Sequence, residues 1–284
     1  ESDVAIVALG DSSETSGENF DRTTLDLPGK QLDFLKSVYE TGTPVVLVMN
    51  TGRPVSCVWE DEHIPAILQA GFNGEKGGLA AAQILFGDVN PSGHLTMSYP
   101  RSVGQIPCHY SRKPAGGRKY VEMDWNPLYP FGYGLSYTTF SFDNLRLSAT
   151  EIPQDGEIVA TVDVTNTGDR AGATDAQIYV DDHYTSVVRP SLAILRCLPD
   201  QTRASCRCTQ ILPLSDLLLH CRLKSATIVL YKAADRCNTE KGNLNYGAFT
   251  CKLFLRRTRN GNLDGCYPAR ADDGTNRYGR QGVG

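Results

Sequence analysis

Four carboxylates crowd a short stretch near the start of the chain: Asp11, Glu14, Glu18 and Asp21, with Arg22 beside the last. They follow an apolar run, Asp3-Val-Ala-Ile-Val-Ala-Leu-Gly10, that reads as a buried strand ending at glycine. Open α/β sheets place their sites at the carboxyl ends of strands, on loops that glycine and serine keep mobile, so this is a position suited to chemistry. A carboxyl group placed there can donate a proton if burial or a neighbouring carboxylate raises its pKa, at about 1.36 kcal/mol per unit. By residue type alone Glu18 is a solvated loop carboxylate. Asp11 and Asp21 suit capping, turning or pairing with Arg22.

Other reactive residue types form weaker patterns. His63, His94, His109, His183 and His220 show no metal-ligand spacing, and no metal or cofactor is expected. Cys206-x-Cys208 and the other late cysteines form no Cys-x-x-Cys. Trp59 and Trp125 offer aromatic faces on which a ligand ring could stack, although a single tryptophan more commonly serves packing. Gly74-Glu-Lys-Gly-Gly78 opens a helix but lacks the spacing of the common phosphate loops, so close helix-to-sheet packing is the expected role.

The elements that must hold the carboxylate loop are legible. Pro44-Val-Val-Leu-Val-Met-Asn50 is a second unalternating apolar run, again a buried parallel strand. Between the two runs, residues 28–40 put Leu32, Leu35, Val38 and Tyr39 on one helical face, completing a βαβ unit. A third run, 64–70, precedes a helix over 75–86 that stops at Gly87. Residues 106–137 are irregular and rich in Pro, Gly and Tyr. Strict alternation then sets in, with Ile158, Ala160, Val162 and Val164 on one face, a turn at 166–169, and Ala176, Ile178 and Val180 on the next strand, as in a β-sandwich.

Charge divides the chain. Residues 1–190 carry 13 basic and 25 acidic side chains, net −12; residues 191–284 carry 15 and 7, net +8. Cys57 and Cys108 lie in the first part and the other seven cysteines in the last. An acidic body argues against nucleic acid as a partner of residues 1–190. No stretch approaches the roughly 20 apolar residues that cross a bilayer. The opening on a strand-like run without methionine reads as a cut inside a larger polypeptide.

Three segments carry a resemblance. Ser16-Gly-Glu-Asn-Phe-Asp-Arg-Thr-Thr-Leu-Asp-Leu-Pro-Gly29, Asn90-Pro-Ser-Gly93 with Tyr99-Pro-Arg-Ser-Val-Gly-Gln-Ile-Pro107, and residues 127–140 together resemble, in order and spacing, the C-terminal half of family 3 glycoside hydrolases of the bacterial periplasmic β-glucosidase type. The resemblance covers roughly residues 1–190. It implies an α/β fold, a partial α/β sandwich with a mostly parallel sheet over 1–118, an irregular connection over 119–143, and the beginning of a fibronectin type III-like β-sandwich over 144–190. Residues 191–284 stay unassigned, a possible out-of-frame or foreign tail. The family usually has Gly-x-Glu-Gly-Gly where this chain has Lys76 at the glutamate position.

The same resemblance implies a retaining exo-hydrolase of terminal β-linked glucose, or as an alternative a β-xylosidase. Such enzymes use two carboxyl groups about 5 to 5.5 Å apart. The motif position of the general acid/base is Glu18, with Glu14 the runner-up because loops of this family vary. The aspartate nucleophile would lie on an N-terminal (β/α)8-type barrel absent from this chain. Implied partners are a β-glucoside or oligosaccharide and that barrel, with no membrane, and the implied location is periplasmic or secreted. A non-catalytic carbohydrate-binding or interaction module is the reading from a different class.

Overall fold

The computed structural model describes residues 2–111, 120–153, 156–181, 191–197, 205–213, 225–231 and 248–256. The first unit is a three-stranded parallel sheet, order β1-β2-β3, built from Ala5–Gly10, Val45–Asn50 and Ala66–Gln69. Helices α1 (Gln31–Tyr39), α2 (Val58–His63) and α3 (Gly77–Leu85) complete it. The two strands and two helices expected from the apolar runs at 3–10, 28–40, 44–50 and 75–86 are all present, and 64–70 holds β3. α2 was not anticipated, because six residues are too few to show a helical period.

β2 lies in the middle and buries Val45, Leu47, Val48 and Met49, so its unalternating run is explained by cover on both faces. β1 differs from the expectation of full burial. Val7 and Leu9 are buried, whereas Ile6 is 52% exposed, since β1 is an edge strand whose second face no described residue covers. Leu79 of α3 and Phe86 directly after it are likewise exposed. The core gathers Val7, Leu9, Leu35, Leu47, Met49 and Cys57 with their neighbours. Leu35 of α1 is wholly enclosed, worth about 2 kcal/mol over an exposed leucine.

The second unit is a pair of face-to-face sheets. One has the order β4-β6-β9 and the other β5-β11-β10-β7-β8. The elements are β4 (Phe140–Leu147), β5 (Glu151–Pro153), β6 (Glu157–Asn166), β7 (Thr174–Asp181), β8 (Ser191–Cys197), β9 (Ser205–Pro213), β10 (Ser225–Tyr231) and β11 (Ala248–Arg256). All pairings are antiparallel except β5 with β11. Ile158, Ala160, Val162 and Val164 point into the shared core with Ala176 and Ile178, as their alternation predicts. β4 begins at Phe140, inside the span read as irregular connection, because Phe140 and Phe142 alternate into this core. Residues beyond 190, whose patterning suggested no element, supply β8 to β11, and a disulfide from Cys197 to Cys208 joins β8 to β9 across the two sheets.

The motif segments join the two units. Asn90 Oδ1 accepts from the Ser136 hydroxyl and from the Tyr137 N–H, both at 2.9 Å, while its Nδ2 donates to the Ala171 carbonyl at 3.0 Å. The Tyr137 hydroxyl donates to the Ile84 carbonyl at 2.9 Å, and His94 Nδ1 lies 3.0 Å from Asp175 Oδ2. Residues 128–133 return along 95–99 through the Leu95 N–H to Tyr133 O and Tyr99 N–H to Tyr129 O bonds, both 2.8 Å.

Burial pushes the Cys57 thiol up to about 12, helped by the nearby Glu60 carboxylate, and burial likewise pushes the Tyr99 hydroxyl up to about 12. The unfolded chain releases these protons from about pH 9 and 10, while the folded chain keeps them to about pH 12. The native state therefore binds more protons in that window, and its stability is expected to fall as pH rises through it. Urea denaturation at pH 8 and pH 10.5 checks this: the midpoint drops at the higher pH, and Cys57→Ala shows a smaller drop than the parent chain.

Candidate active site

The carboxylate loop leaves the sheet at Gly10, the last residue of β1. Gly10 has φ +155° and is the register partner of Asn50, and a Cβ on residue 10 would run into the Asn50 carbonyl. Gln31, at the start of α1, clasps both polar groups of Gly10: the Gly10 N–H donates to Gln31 Oε1 at 2.7 Å and Gln31 Nε2 donates to the Gly10 carbonyl at 2.8 Å. The Asp11 N–H donates to the Asn50 carbonyl at 3.0 Å. The loop's departure from the sheet is thus fixed through its backbone.

Two successive turns follow. In the first, the Thr15 and Ser16 N–H groups donate to the Ser12 carbonyl at 3.1 and 3.0 Å, and the Ser12 N–H donates to Thr15 Oγ1 at 2.8 Å. Glu14 sits within this turn, its N–H donating to Ser12 Oγ at 3.2 Å and its side chain exposed. In the second, the Phe20 N–H donates to the Gly17 carbonyl at 3.2 Å. Glu18 occupies the tip, with Asn19 after it at φ +66°, a left-handed conformation that asparagine tolerates well. Glu18 is exposed, and no described residue hydrogen bonds to its side chain. Both candidate acids therefore stand on the solvent side of one loop.

Asp11 behaves otherwise. Its side chain is completely buried; Oδ1 accepts from Arg22 Nη1 at 3.4 Å, and Arg53 Nε lies 3.9 Å from Oδ2. Of the two aspartates suited to pair with Arg22, the fold brings in Asp11 and leaves Asp21 exposed. Arg53 belongs to none of the motifs of the sequence; the Gly52-Arg53-Pro54 turn directly after β2 is the signal that could have placed it at the same sheet edge. Arg53 also lines a cleft beyond the ends of β2 and β3, with Thr51, Gln69, His94, Met97 and Tyr99.

Trp59 and His63 belong to one aromatic cluster. Trp59 stacks on His63 at 4.5 Å between centroids, meets the edge of Tyr39 at 5.6 Å, and has the Lys36 amine 5.3 Å from its ring. His63 Nδ1 bonds to the Trp59 carbonyl at 2.8 Å. Trp125 gives its carbonyl to Gln105 Nε2 at 3.2 Å. Gly77, at the start of α3, is buried against the Asn73 side chain, Gly74 takes φ +67°, and a Cβ at Gly78 would meet nothing within 4 Å, so the close approach is to the preceding turn and not to the sheet. Among the described residues one cluster has metal-ligand composition, Cys197, Cys206 and Cys208, with donor atoms within 4.8 Å, and the disulfide engages two of the three sulfurs. His183 and His220 lie outside the described residues.

An open parallel sheet with its polar loops at the carboxyl edge, joined to a β-sandwich, defines the architecture. Residues 1–137 match the family model described as "Glycosyl hydrolase family 3 C-terminal domain". The chain is 44% identical over 201 residues to the "Periplasmic beta-glucosidase" of Salmonella typhimurium, covering 67% of this chain and 26% of that protein. It is 44% identical over 192 residues to a "Beta-xylosidase" of Formosa agariphila, covering 66% and 27%. Among solved structures, a β-glucosidase from Erythrobacter marinus superposes with a TM-score of 0.78 at 32% identity, over 89% of this chain and 34% of that one. A Listeria innocua β-glucosidase, solved with glucose, gives 0.77 at 27% identity, over 89% and 36%. Residues 1–137 are thus a C-terminal domain of the kind found in family 3 of the glycoside hydrolases. It spans about a quarter of the length of these curated relatives.

The second turn depends on the left-handed residue at its third position. Asn19→Val is expected to cost about 1–2 kcal/mol locally and to loosen the Glu18 tip, while Asn19→Gly is tolerated. Backbone amide chemical shifts of residues 17–21 check this, with those of β1 and β2 as the unaffected control.

Proposed function

We propose that this chain is the acid/base-bearing part of a retaining, exo-acting β-glucosidase. Glu18 is its general acid/base, and an aspartate on an N-terminal barrel is the nucleophile. The observation that carries the reading is the placement of Glu18, at the exposed tip of a turn leaving the carboxyl end of β1, within a domain matching family 3. A proton donor needs surroundings that hold its proton near neutral pH. The described residues give the Glu18 side chain no partner, so the barrel has to supply that enclosure together with the second carboxylate. Exposed Ile6, Phe20, Phe72, Leu79 and Phe86 support a further domain lying against this unit.

Protonation of the glycosidic oxygen by Glu18 would assist departure of the aglycone as the nucleophile attacks the anomeric carbon. The same residue, now a carboxylate, would then take a proton from the water that releases the sugar. The β-sandwich is read as fibronectin type III-like, supported by its two packed sheets of three and five strands. A periplasmic or secreted location is supported by the name of the Salmonella relative. Residues 191–284 are read as foreign or out-of-frame in origin while occupying strand positions β8 to β11, supported by the change from net −12 to +8. The other two reading frames of the nucleotide sequence test this; if neither encodes alternating strands after Pro190, that origin is wrong.

The chain alone is expected to show no turnover of an aryl β-glucoside, and robust turnover would overturn the assignment of the nucleophile elsewhere. In the parent polypeptide, Glu18→Ala lowers kcat/KM most for poor leaving groups, by about 10²- to 10⁴-fold, and azide restores turnover as a β-glycosyl azide. If Glu14→Ala shows this behaviour and Glu18→Ala does not, Glu14 is the acid. The Formosa relative favours β-xylosides as a second substrate class, and aryl β-xyloside against aryl β-glucoside turnover decides between them. Saturable sugar binding by the isolated chain, with no activity in the parent, would favour the non-catalytic module.

A further inference from the structure

We propose that Asp11 is a positioning residue for the acid/base loop, acting through Arg22 and Arg53; this rests on the reading of Glu18 as the acid. Asp11 itself is completely buried and is poorly placed to touch a substrate, whereas Glu18 is exposed. Arg22 ties the beginning of the loop to its end, since it donates from Nη1 to Asp11 Oδ1 at 3.4 Å and from Nη2 to the Asp26 carbonyl at 2.7 Å. Arg53 ties the middle of the loop to the segment after β2: its Nη2 donates to the Thr15 carbonyl at 3.2 Å while its Nε faces Asp11 Oδ2 at 3.9 Å.

Glu18 lies between the two tethered points, Thr15 and Arg22, so its remaining freedom is that of the Gly17–Phe20 turn. Electrostatics concentrates this control on one group. Both arginine side chains are largely buried, at 16% and 24% exposure, and they approach the same carboxylate. Without that negative charge two guanidinium groups face each other in a poorly solvated site, and each loses the reason to stay. An asparagine at position 11 keeps the shape and loses the charge. Asp21 cannot substitute, because it projects to solvent.

Hydrogen exchange on the full chain tests the tethering. Asp11→Asn is expected to speed exchange of the amides of residues 12–20 by at least about tenfold and leave those of β2 unchanged, with Asp11→Glu partly restoring protection. Unchanged loop exchange in Asp11→Asn overturns the proposal. Should Asp11→Asn unfold the sheet, the single tethers decide: Arg53→Gln must release residues 12–16 and Arg22→Gln residues 20–26, and failure of both overturns it equally.

Kinetics of the parent polypeptide separates positioning from mere structure. Asp11→Asn should lower kcat/KM for an alkyl β-glucoside at least about tenfold more than for a dinitrophenyl β-glucoside, which needs little protonation. An equal fall for both substrates overturns the positioning role. Glu18→Gln run alongside keeps the two readings apart. If Glu18→Gln shows no leaving-group dependence, the acid assignment fails, while the exchange data still report whether Asp11 holds the loop.

Discussion

Gly10 and Asn50 meet at the carboxyl ends of the first two parallel strands, so closely that residue 10 has no room for a side chain. Much of what surrounds the candidate site follows from that contact. It brings the chain leaving β1 beside the chain leaving β2, so Asp11 and Arg53, 42 positions apart in sequence, share one buried ion-pair cluster. It also presents the backbone of Gly10 to Gln31, which links the start of α1 to the loop's first residue. A parallel pair obliges a crossover connection between its strands, and here that crossover includes α1 and the loop that carries Glu18.

The two kinds of carboxylate on this loop divide the work by exposure. Asp11 is enclosed, and its charge is balanced by arginines that reach it from both directions. Glu18 is held only by a four-residue turn and faces outward. Buried charges that are paired and hydrogen bonded fix geometry at considerable desolvation cost, whereas a group that must meet a substrate has to stay accessible. On the reading of Glu18 as the acid, the tethered part of the loop is the part that would not touch substrate, in keeping with the general need for reactive groups to be backed by rigid supports.

The β-sandwich is coupled to this unit through side chains of the second and third motif segments. Asn90 satisfies a hydroxyl, an N–H and a carbonyl that come from the connection and from the sandwich. His94 of the same segment pairs with Asp175 at the start of β7 and also lines the cleft beside Arg53. Residues that look like an irregular proline- and glycine-rich linker thus form a hydrogen-bonded return strip along 95–99.

Local pattern determined part of the elements. Apolar runs and helical spacing located β1, β2, α1 and α3, because burial on one or both faces leaves a period in the sequence, and alternation marked β6 and β7 for the same reason. The spacing of the motif segments was enough to place Glu18 and Glu14 on one loop. What the sequence could not express was any relation between distant positions. That Asp11, and not Asp21, takes Arg22; that Arg53 joins them; and that β8 to β11 complete two sheets from a stretch with little periodicity are all outcomes of packing. Charge pairing and strand partnership depend on distance in space, and only the meeting of strand ends at Gly10 and Asn50 sets those distances.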